Sequence, residues 1–446
     1  MRNNKSANTN SRSSMLHKNI LFSGVLKAIG LITSLVIVPI TINYLNDEVY
    51  GVWMTITSVL YWITTFDIGL GNGMRNYLTE ALSKGDTALG RSYLSTTLIL
   101  LSLIALTMGA ALIYPLYSIN FNSFFNTYAV SGADLRLAVI IAVAFTLMNF
   151  VLKNIGFIFV ALQRYALNDL LAISGNVISL IIIYILTKVT SGSLVLVVLA
   201  YTLTSCVVYL LAAIPLFWKH PELKPSLRCF DKSLGKKIVG KGLGFFVIQI
   251  SSCLVIFSAA NFFITQACGP AAVTTYNIAY KFFNLLVIAY TIVLAPMWNA
   301  YTDAYVKGDM LWIRATFRKA LLMWGLSVLG GAVMLALCNT FYKLWVGSMV
   351  EVPLSVSLCT LVYVCFFNLN NCVTYLINGL NKIFVQIIIS LAVTALYIIS
   401  VYAIGGKLGI EGIVLSMAAS YAVMSAVHLY QCYLLIGNKA NGIWNK

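Results

Sequence analysis

The feature that most constrains this chain is a series of uninterrupted apolar runs, each about twenty residues long or longer. Such a run matches the ~20 residues that an α-helix needs to cross the ~30 Å hydrocarbon core of a bilayer. Strands of a membrane barrel would instead alternate polar and apolar residues over about ten positions. Backbone groups in lipid must bond to one another, so the runs predict an all-α integral membrane protein.

The composition agrees with this prediction, since 60% of the residues are hydrophobic, only 9% are charged and the mean hydropathy is +0.89. A soluble domain carries about 25% charged residues. We predict about twelve spans, at 20–44, 49–70, 92–117, 137–161, 166–187, 193–217, 242–266, 271–299, 320–341, 354–377, 383–404 and 409–435. The predicted organisation is a tail (1–19), an N-lobe of six spans (20–217), a basic linker (218–241), a C-lobe of six spans (242–435) and a second tail (436–446).

Basic residues alternate between the two ends of the predicted spans. If the N-terminus is cytoplasmic, 22 of the 29 lysines and arginines lie inside, 4 lie outside and 3 fall within spans. This positive-inside bias predicts a multi-pass inner-membrane protein with both termini in the cytoplasm. It also accounts for the net charge of +16 without nucleic acid, because anionic lipid headgroups attract such residues. The first nineteen residues show no cleavable signal peptide, so we expect the first span to remain as an anchor.

The chain repeats itself at an offset of 223 residues. The segment Thr79–Asp86 (TEALSKGD) follows span 2, and Thr302–Asp309 (TDAYVKGD) follows span 8. Arg91 matches Arg314 at the same offset. Each half has six spans and therefore the same orientation, which predicts a parallel pseudo-two-fold repeat. Two such lobes around a central cavity are a transporter design, although duplicated scaffolds also occur in membrane enzymes and channels.

Three lysines lie inside predicted spans, where an ionisable group costs about 2.5–3.5 kcal/mol on insertion scales. They are Lys27, Lys153 and Lys281, and the helical period puts polar residues on their faces. The candidate substrate-binding residues are Lys281, Lys153, Lys27, Asn149, Asn277, Asn284 and Asn371. Lysine suits phosphate as a point charge, and amides suit sugar hydroxyls. Alternatively, Lys27 and Lys153 reach the cytoplasmic interface, and the asparagines hold helices together. His428 is interpreted as a boundary residue of span 12.

A glycine-rich segment, Asp67-Ile68-Gly69-Leu70-Gly71-Asn72-Gly73, ends the second span. We reject a phosphate-loop interpretation because no strand precedes it and no Gly-Lys-Ser/Thr follows. The glycines are expected to break span 2 and to let backbones approach closely. No cofactor or metal site is expected. A proton or sodium gradient is the candidate energy source, although no membrane-buried carboxylate identifies the ion.

The same segment carries a family resemblance. Phe66–Asn76 (FDIGLGNGMRN), continuing through Glu80–Asp86, resembles the span 2–3 segment of bacterial polysaccharide flippases of the Wzx type, in the multidrug/oligosaccharidyl-lipid/polysaccharide exporter superfamily. Asp303–Asp309 and Asn378–Lys382 resemble their later motifs. The motif and helix-break residues carried over are Asp67, Gly69, Gly71, Gly73 and Arg75.

The resemblance implies a fold similar to that of multidrug and toxin extruders, with two six-helix lobes around a central cavity. It implies a transporter, not an enzyme, that flips an undecaprenyl-pyrophosphate-linked oligosaccharide to the outer leaflet by alternating access, for surface polysaccharide or O-antigen assembly. Expected partners are the lipid-linked oligosaccharide, membrane lipids, and polysaccharide polymerase and chain-length proteins. The alternatives are a cation-coupled multidrug exporter, which would want acidic cavity residues, and a membrane glycosyltransferase or polymerase, which would want a larger extramembrane domain.

Overall fold

The structure is a computed structural model that describes residues 25–65, 69–238 and 259–445. Asp67, the predicted tail 1–19 and most of the predicted seventh span (242–266) lie outside these described residues. The regular secondary structure of the described part of the chain is all helical, with no β-strand. The prediction of an all-α protein is therefore confirmed.

Sixteen α-helices form most of the described residues, together with short 3₁₀ and π-helical segments. They are α1 (Val25–Leu45), α2 (Asp47–Thr65), α3 (Leu70–Ser83), α4 (Thr87–Ser118), α5 (Phe121–Phe125), α6 (Gly132–Leu152), α7 (Asn154–Ala161), α8 (Tyr165–Val189), α9 (Leu194–Lys219), α10 (232–238), α11 (Ala259–Cys268), α12 (Pro270–Val306), α13 (Met310–Trp345), α14 (Leu354–Gly379), α15 (Phe384–Ser400) and α16 (Gly406–Ile436). Within the described ranges, ten helical segments are long and apolar enough to cross a membrane. They correspond to ten of the predicted spans, while α2 occupies the second and α11 the end of the seventh.

Side-chain caps fix where several spans begin. Asp86 accepts a hydrogen bond from Leu89 N at 2.9 Å, at the start of α4. Ser131 accepts from Asp134 N at 3.1 Å, at the start of α6. Each cap satisfies one of the backbone N–H groups that the first turn of a helix leaves without a partner.

The chain forms two compact units that do not coincide with its sequence halves. Among the described residues, the first unit contains 25–46, 60–65, 69–124 and 128–238, and the second contains 47–59, 125–127 and 259–445. The helix α2 is therefore divided, with residues 47–59 in the second unit and 60–65 in the first. The predicted lobe boundaries remain a prediction.

Each unit has its own packed core. In the first, α3, α4, α7 and α9 contribute buried residues such as Met74, Leu94 and Ile158. In the second, α12, α14 and α16 meet around fully buried Tyr301 and Leu376. Since lipid is as apolar as these side chains, van der Waals fit and interhelical hydrogen bonds stabilise such contacts.

The predicted internal repeat is visible in the geometry of the loops that carry it. Gly85 and Gly308 have φ angles of 76° and 74°, and each ends a helix in the left-handed conformation. The next residue, Asp86 or Asp309, donates its backbone N–H five residues back, to Ala81 O (3.0 Å) or Ala304 O (2.9 Å). This is a Schellman motif, in which glycine avoids the steric cost of positive φ. Both halves therefore stop the helix and start the next one in the same way.

The charged residues of the repeat are equivalent as well. Lys84 lies 2.6 Å from Glu80, and Lys307 lies 2.7 Å from Asp303, both as pairs four residues apart on an exposed helix. The nearby carboxylate raises the pKa of Lys84 above its ordinary value. Such exposed pairs contribute little to stability. Their value is as markers that the two segments adopt the same local structure.

Candidate functional site

Lys281, the deepest predicted candidate, lies in the first half of α12 and is half-buried. Asn277 and Asn284 lie about one turn away on either side, as the helical period predicts. Asn277 is 7% exposed and donates to Asn261 Oδ1 at 3.0 Å, while Asn284 accepts from the Tyr280 hydroxyl at 3.1 Å. The structure thus brings Lys281, Asn277 and Asn284 together on one helix of the second unit.

Asn277 belongs to a chain of hydrogen bonds that holds three helices of the second unit together. Asn261 on α11 donates to Ser58 Oγ on α2 at 2.7 Å and accepts from Asn277 on α12. Thr55 and Thr265 hydroxyls meet at 2.7 Å beside it. Asn277 therefore joins α12 to α11 by a hydrogen bond between helices, as the alternative interpretation held.

Lys153 has a specific partner in the first unit. It sits between α6 and α7, where its Nζ donates to Thr64 O at 3.0 Å and lies 5.6 Å from the centroid of the Phe150 ring. Thr64 is in the last described turn of α2. Lys153 therefore caps the described end of this helix.

The remaining candidates are spread over both units. Lys27 is exposed in the first described turn of α1. Asn149, one turn before Lys153, has a buried Oδ1 atom with no hydrogen-bond partner in the described part of the chain. Asn371 is half-buried on α14, and its carbonyl accepts from Thr374 Oγ1 at 3.1 Å. Lys27, Lys153 and Asn149 thus belong to the first unit, and the other four candidates to the second.

The glycine-rich segment lies where the second span is interrupted. The helix α2 ends at Thr65, α3 begins at Leu70, and Gly69 between them has φ 70°. A Cβ on Gly71 would lie 2.5 Å from Phe157 Cε2 and 2.6 Å from Asn154 Oδ1, so α3 and α7 approach closely only because no side chain stands there.

The other motif residues have different surroundings. A Cβ on Gly73 would lie 2.9 Å from Ile238 Cγ2, which places α10 against α3. Arg75 is half-buried and its guanidinium lies 3.3 Å from Asn76 Oδ1. Asp67 lies outside the described residues.

The structure gives His428 a packing role that its interpretation as a boundary residue did not include. Its side chain is fully buried in α16, and Nδ1 lies 2.9 Å from Asn370 Oδ1 on α14. The Nε2 atom has no hydrogen-bond partner within the described ranges. Nearby, Gln431 donates to Lys382 O at 2.9 Å. Only the asparagine-rich pattern of span 10 signalled polar packing here, and it did not identify the partner helix.

The polar contacts between α14 and α16 show that these two helices run parallel. Ser355 donates to Glu411 at 2.7 Å near their beginning, Asn370 meets His428 in the middle, and Cys432 approaches Val373 O further along. In the first unit, Cys206 of α9 approaches Phe145 O of α6 at 3.2 Å, in the equivalent pair of spans. The fourth and sixth spans of each half are thus joined by polar contacts.

Comparison with known proteins gives the relatives of this chain. The family model described as "Polysaccharide biosynthesis protein" matches residues 16–298. A "Putative O-antigen transporter" of Salmonella typhimurium is 23% identical over 409 residues, which cover 89% of this chain and 91% of that protein. A protein of the same description from Salmonella typhi is 23% identical over 313 residues, covering 69% of this chain and 68% of that protein.

Solved structures share the fold. A multidrug resistance MATE family transporter of the MOP superfamily, in an inward-facing conformation, superposes with a TM-score of 0.77 at 17% identity, covering 94% of this chain and 98% of that one. A MOP superfamily transporter from Pyrococcus furiosus has a TM-score of 0.64 at 16% identity, covering 96% of both chains. The predicted similarity to multidrug and toxin extruders is therefore confirmed for the fold.

Proposed function

Because this chain belongs to the polysaccharide biosynthesis protein family, we propose that it is a flippase that moves an undecaprenyl-pyrophosphate-linked oligosaccharide from the cytoplasmic to the outer leaflet of the inner membrane by alternating access. Two observations support a transporter over an enzyme. The curated relatives are named transporters, and the fold is one that solved transporters share. The proposed product supplies surface polysaccharide or O-antigen assembly.

The proposed substrate class is supported by the half-buried Lys281, which lies beside Asn284 on α12. A pyrophosphate and a sugar chain cannot enter ~30 Å of hydrocarbon without groups that replace their water. An ammonium stabilises phosphate as a point charge, and an amide both donates to and accepts from sugar hydroxyls. A cationic drug would instead favour a carboxylate at this position, which makes the multidrug exporter the weaker proposal.

Energy source, partners and orientation are part of the same proposal. A proton or sodium gradient is the proposed driving force, since no nucleotide-binding motif was found in the sequence. The proposed partners are a polysaccharide polymerase and chain-length proteins, which would receive the translocated unit. Both termini are proposed to be cytoplasmic, on the support of the 22 to 4 distribution of basic residues. The chain is a multi-pass membrane protein in any orientation.

The experiment is deletion of the gene followed by analysis of surface glycan and of lipid-linked intermediates. The expected result is loss of the surface glycan and accumulation of its lipid-linked unit in the cytoplasmic leaflet. Normal display without accumulation would refute the proposed function. Unchanged drug susceptibility on overexpression is expected as well, and a rise in resistance would favour the exporter.

The variant Lys281→Ala tests whether Lys281 contributes to substrate binding. Complementation with this variant should restore protein level but reduce glycan display, because the substrate phosphate loses its counter-charge. Lys407→Ala, at an exposed lysine in the first turn of α16, is the matched control and should complement fully. Full display by Lys281→Ala would remove Lys281 from the site.

A further inference from the structure

A polar cavity lies entirely within the first unit, away from the lysines discussed so far. It occupies about 400 Å³ between the C-terminal turns of α1 and α8 and the short turn that follows α8. The lining side chains that carry polar atoms are Asn43, Tyr44, Tyr184, Thr187, Lys188 and Thr190. Its volume falls in the ~300–1,000 Å³ range of small-molecule sites.

One wall of this cavity is fixed by buried hydrogen bonds. Tyr44 is 8% exposed, and its hydroxyl donates to Ser191 O at 3.0 Å and lies 2.7 Å from Thr190 Oγ1. A Cβ on Gly192 would lie 2.2 Å from Tyr44 O, so only glycine lets the turn pack against α1. The cavity is therefore held open by the fold and does not depend on a ligand to form.

The opposite wall presents groups that are available to a ligand. The side-chain amide of Asn43 is exposed and, in the described part of the chain, makes no hydrogen bond. Lys188 is also exposed, with Nζ 5.7 Å from the centroid of the Tyr184 ring, which is itself 53% exposed. The site thus offers an amide that donates and accepts, an ammonium that donates only, and an exposed aromatic ring.

These groups match one chemical class of ligand. A sugar ring has hydroxyls that pair with an amide and threonine hydroxyls, and an apolar C–H face that packs on an aromatic ring. Lys188 is the one basic side chain among the residues that line the cavity, and its charge favours a carboxylate or phosphate substituent on that sugar.

A phospholipid headgroup is the competing ligand, because Tyr and Lys are common where spans meet the membrane surface. A headgroup phosphate would pair with Lys188. It would not require the Asn43 amide or the wall that the Tyr44–Thr190 hydrogen bond fixes. The concave, hydroxyl- and amide-lined shape therefore favours the saccharide.

We propose that this cavity is a saccharide subsite that takes an acidic sugar residue of the carried glycan, and this assignment of the ligand rests on the proposed function. With both termini cytoplasmic, as proposed above, the C-terminal turns of α1 and α8 lie on the outer side of the membrane. In that orientation the subsite contacts the glycan as it leaves the protein, separately from the pyrophosphate site at Lys281.

The test is a binding measurement on the full-length protein in phosphatidylcholine nanodiscs, with glucuronate and glucose as probes and saturation-transfer NMR as readout. Wild-type protein should bind glucuronate more tightly than glucose. Lys188→Ala should weaken glucuronate binding at least about tenfold and leave glucose binding nearly unchanged. Asn43→Ala should weaken both. Lys343→Ala, at an exposed lysine in the last turn of α13, is the matched control and should change neither.

Three outcomes would overturn the subsite. The first is no saturable binding of either sugar by the wild-type protein, and the second is equal binding by Lys188→Ala, Asn43→Ala and the control. The third is displacement of glucuronate when phosphatidylglycerol replaces part of the lipid, with lipid binding that depends on Lys188, because the cavity would then hold a headgroup.

A further variant, Asn43→Asp, keeps the shape of the side chain but adds a negative charge. It should weaken the binding of glucuronate more than the binding of glucose.

The gene-deletion experiment separates this subsite from the proposed function. If deletion stops glycan display while the subsite variants bind sugars normally, the subsite fails and the flippase stands. If deletion leaves display intact, the flippase fails, whatever the cavity binds.

Discussion

Gly51→Ala is the perturbation for which the structure gives the clearest magnitude. Gly51 is buried in α2, against the first turn of α12 in the second unit. A Cβ added there would lie 1.8 Å from Pro270 O and 2.4 Å from Pro270 C, whereas ordinary van der Waals contact begins near 3.4 Å. The two backbones would have to separate by about 1.6 Å, and neither contact atom is a side chain that could rotate away.

Overpacking of this kind costs about 1–3 kcal/mol even in adaptable cores. In a unit with 203 described residues, namely 47–59 (13), 125–127 (3) and 259–445 (187), each kcal/mol lowers Tm by about 2–4 °C. Gly51→Ala should therefore lower the Tm by about 2–12 °C. Separation of the backbones should also weaken the Asn261–Ser58 hydrogen bond nearby.

The assay is thermal unfolding of the detergent-purified protein, followed by size-exclusion chromatography of the heated samples. Gly325→Ala is the matched control, because a Cβ at Gly325 in α13 would meet nothing within 4 Å. That substitution should be neutral or stabilising by about 0.5–1 kcal/mol, since alanine is the better helix former. A Gly51→Ala protein as stable as Gly325→Ala would refute the close approach of α2 and α12.

Three further predictions concern contacts on which the site depends. Lys153→Met should lower the Tm and reduce glycan display, because Thr64 O loses its donor, while Lys153→Arg should retain most of both; equal display by the two variants would contradict the capping role. Gly85→Ala and Gly308→Ala should each cost about 1 kcal/mol, since both need positive φ, and asparagine at either position should cost less; a large difference in Tm between the two alanine variants would argue against equivalent loops. His428→Leu should destabilise the protein by about 1–3 kcal/mol because it leaves the buried Asn370 oxygen unpaired, and the double variant with Asn370→Leu should recover part of that loss in a double-mutant cycle; additive losses would show that the pair does not interact.

Local features of the sequence predicted much of the fold. The length of the apolar runs depends on bilayer thickness alone, so the spans followed directly from it. The equivalence of Gly85 and Gly308 also followed, because a Schellman motif is made by six consecutive residues and survives wherever those residues are repeated. Gly69 and Gly71 were expected at a break with close packing, and they lie at one.

The site was harder to predict because it depends on which face each helix presents to its neighbours. Asn370 and His428 are 58 residues apart and meet only because α14 and α16 run parallel with those two faces together. From the sequence alone, the helical face of Lys153 could line a cavity or contact another helix. In the structure its partner is the carbonyl of Thr64 at the described end of α2. The lining of the 400 Å³ cavity has no sequence signal, since Asn43 and Lys188 sit on helices far apart in the chain.

Because helix α2 is divided between the two units, it affects which fragments of the chain can fold when they are expressed separately. A fragment that begins in the 218–241 segment would contain α11 and α12 but not residues 47–59. Asn261 would then lose Ser58, and Thr265 would lose Thr55, so buried polar groups would face lipid or water. We expect such a fragment to be degraded when expressed alone and rescued when the remaining chain is produced beside it. The two halves of the gene are repeats in sequence, but they are not self-sufficient parts.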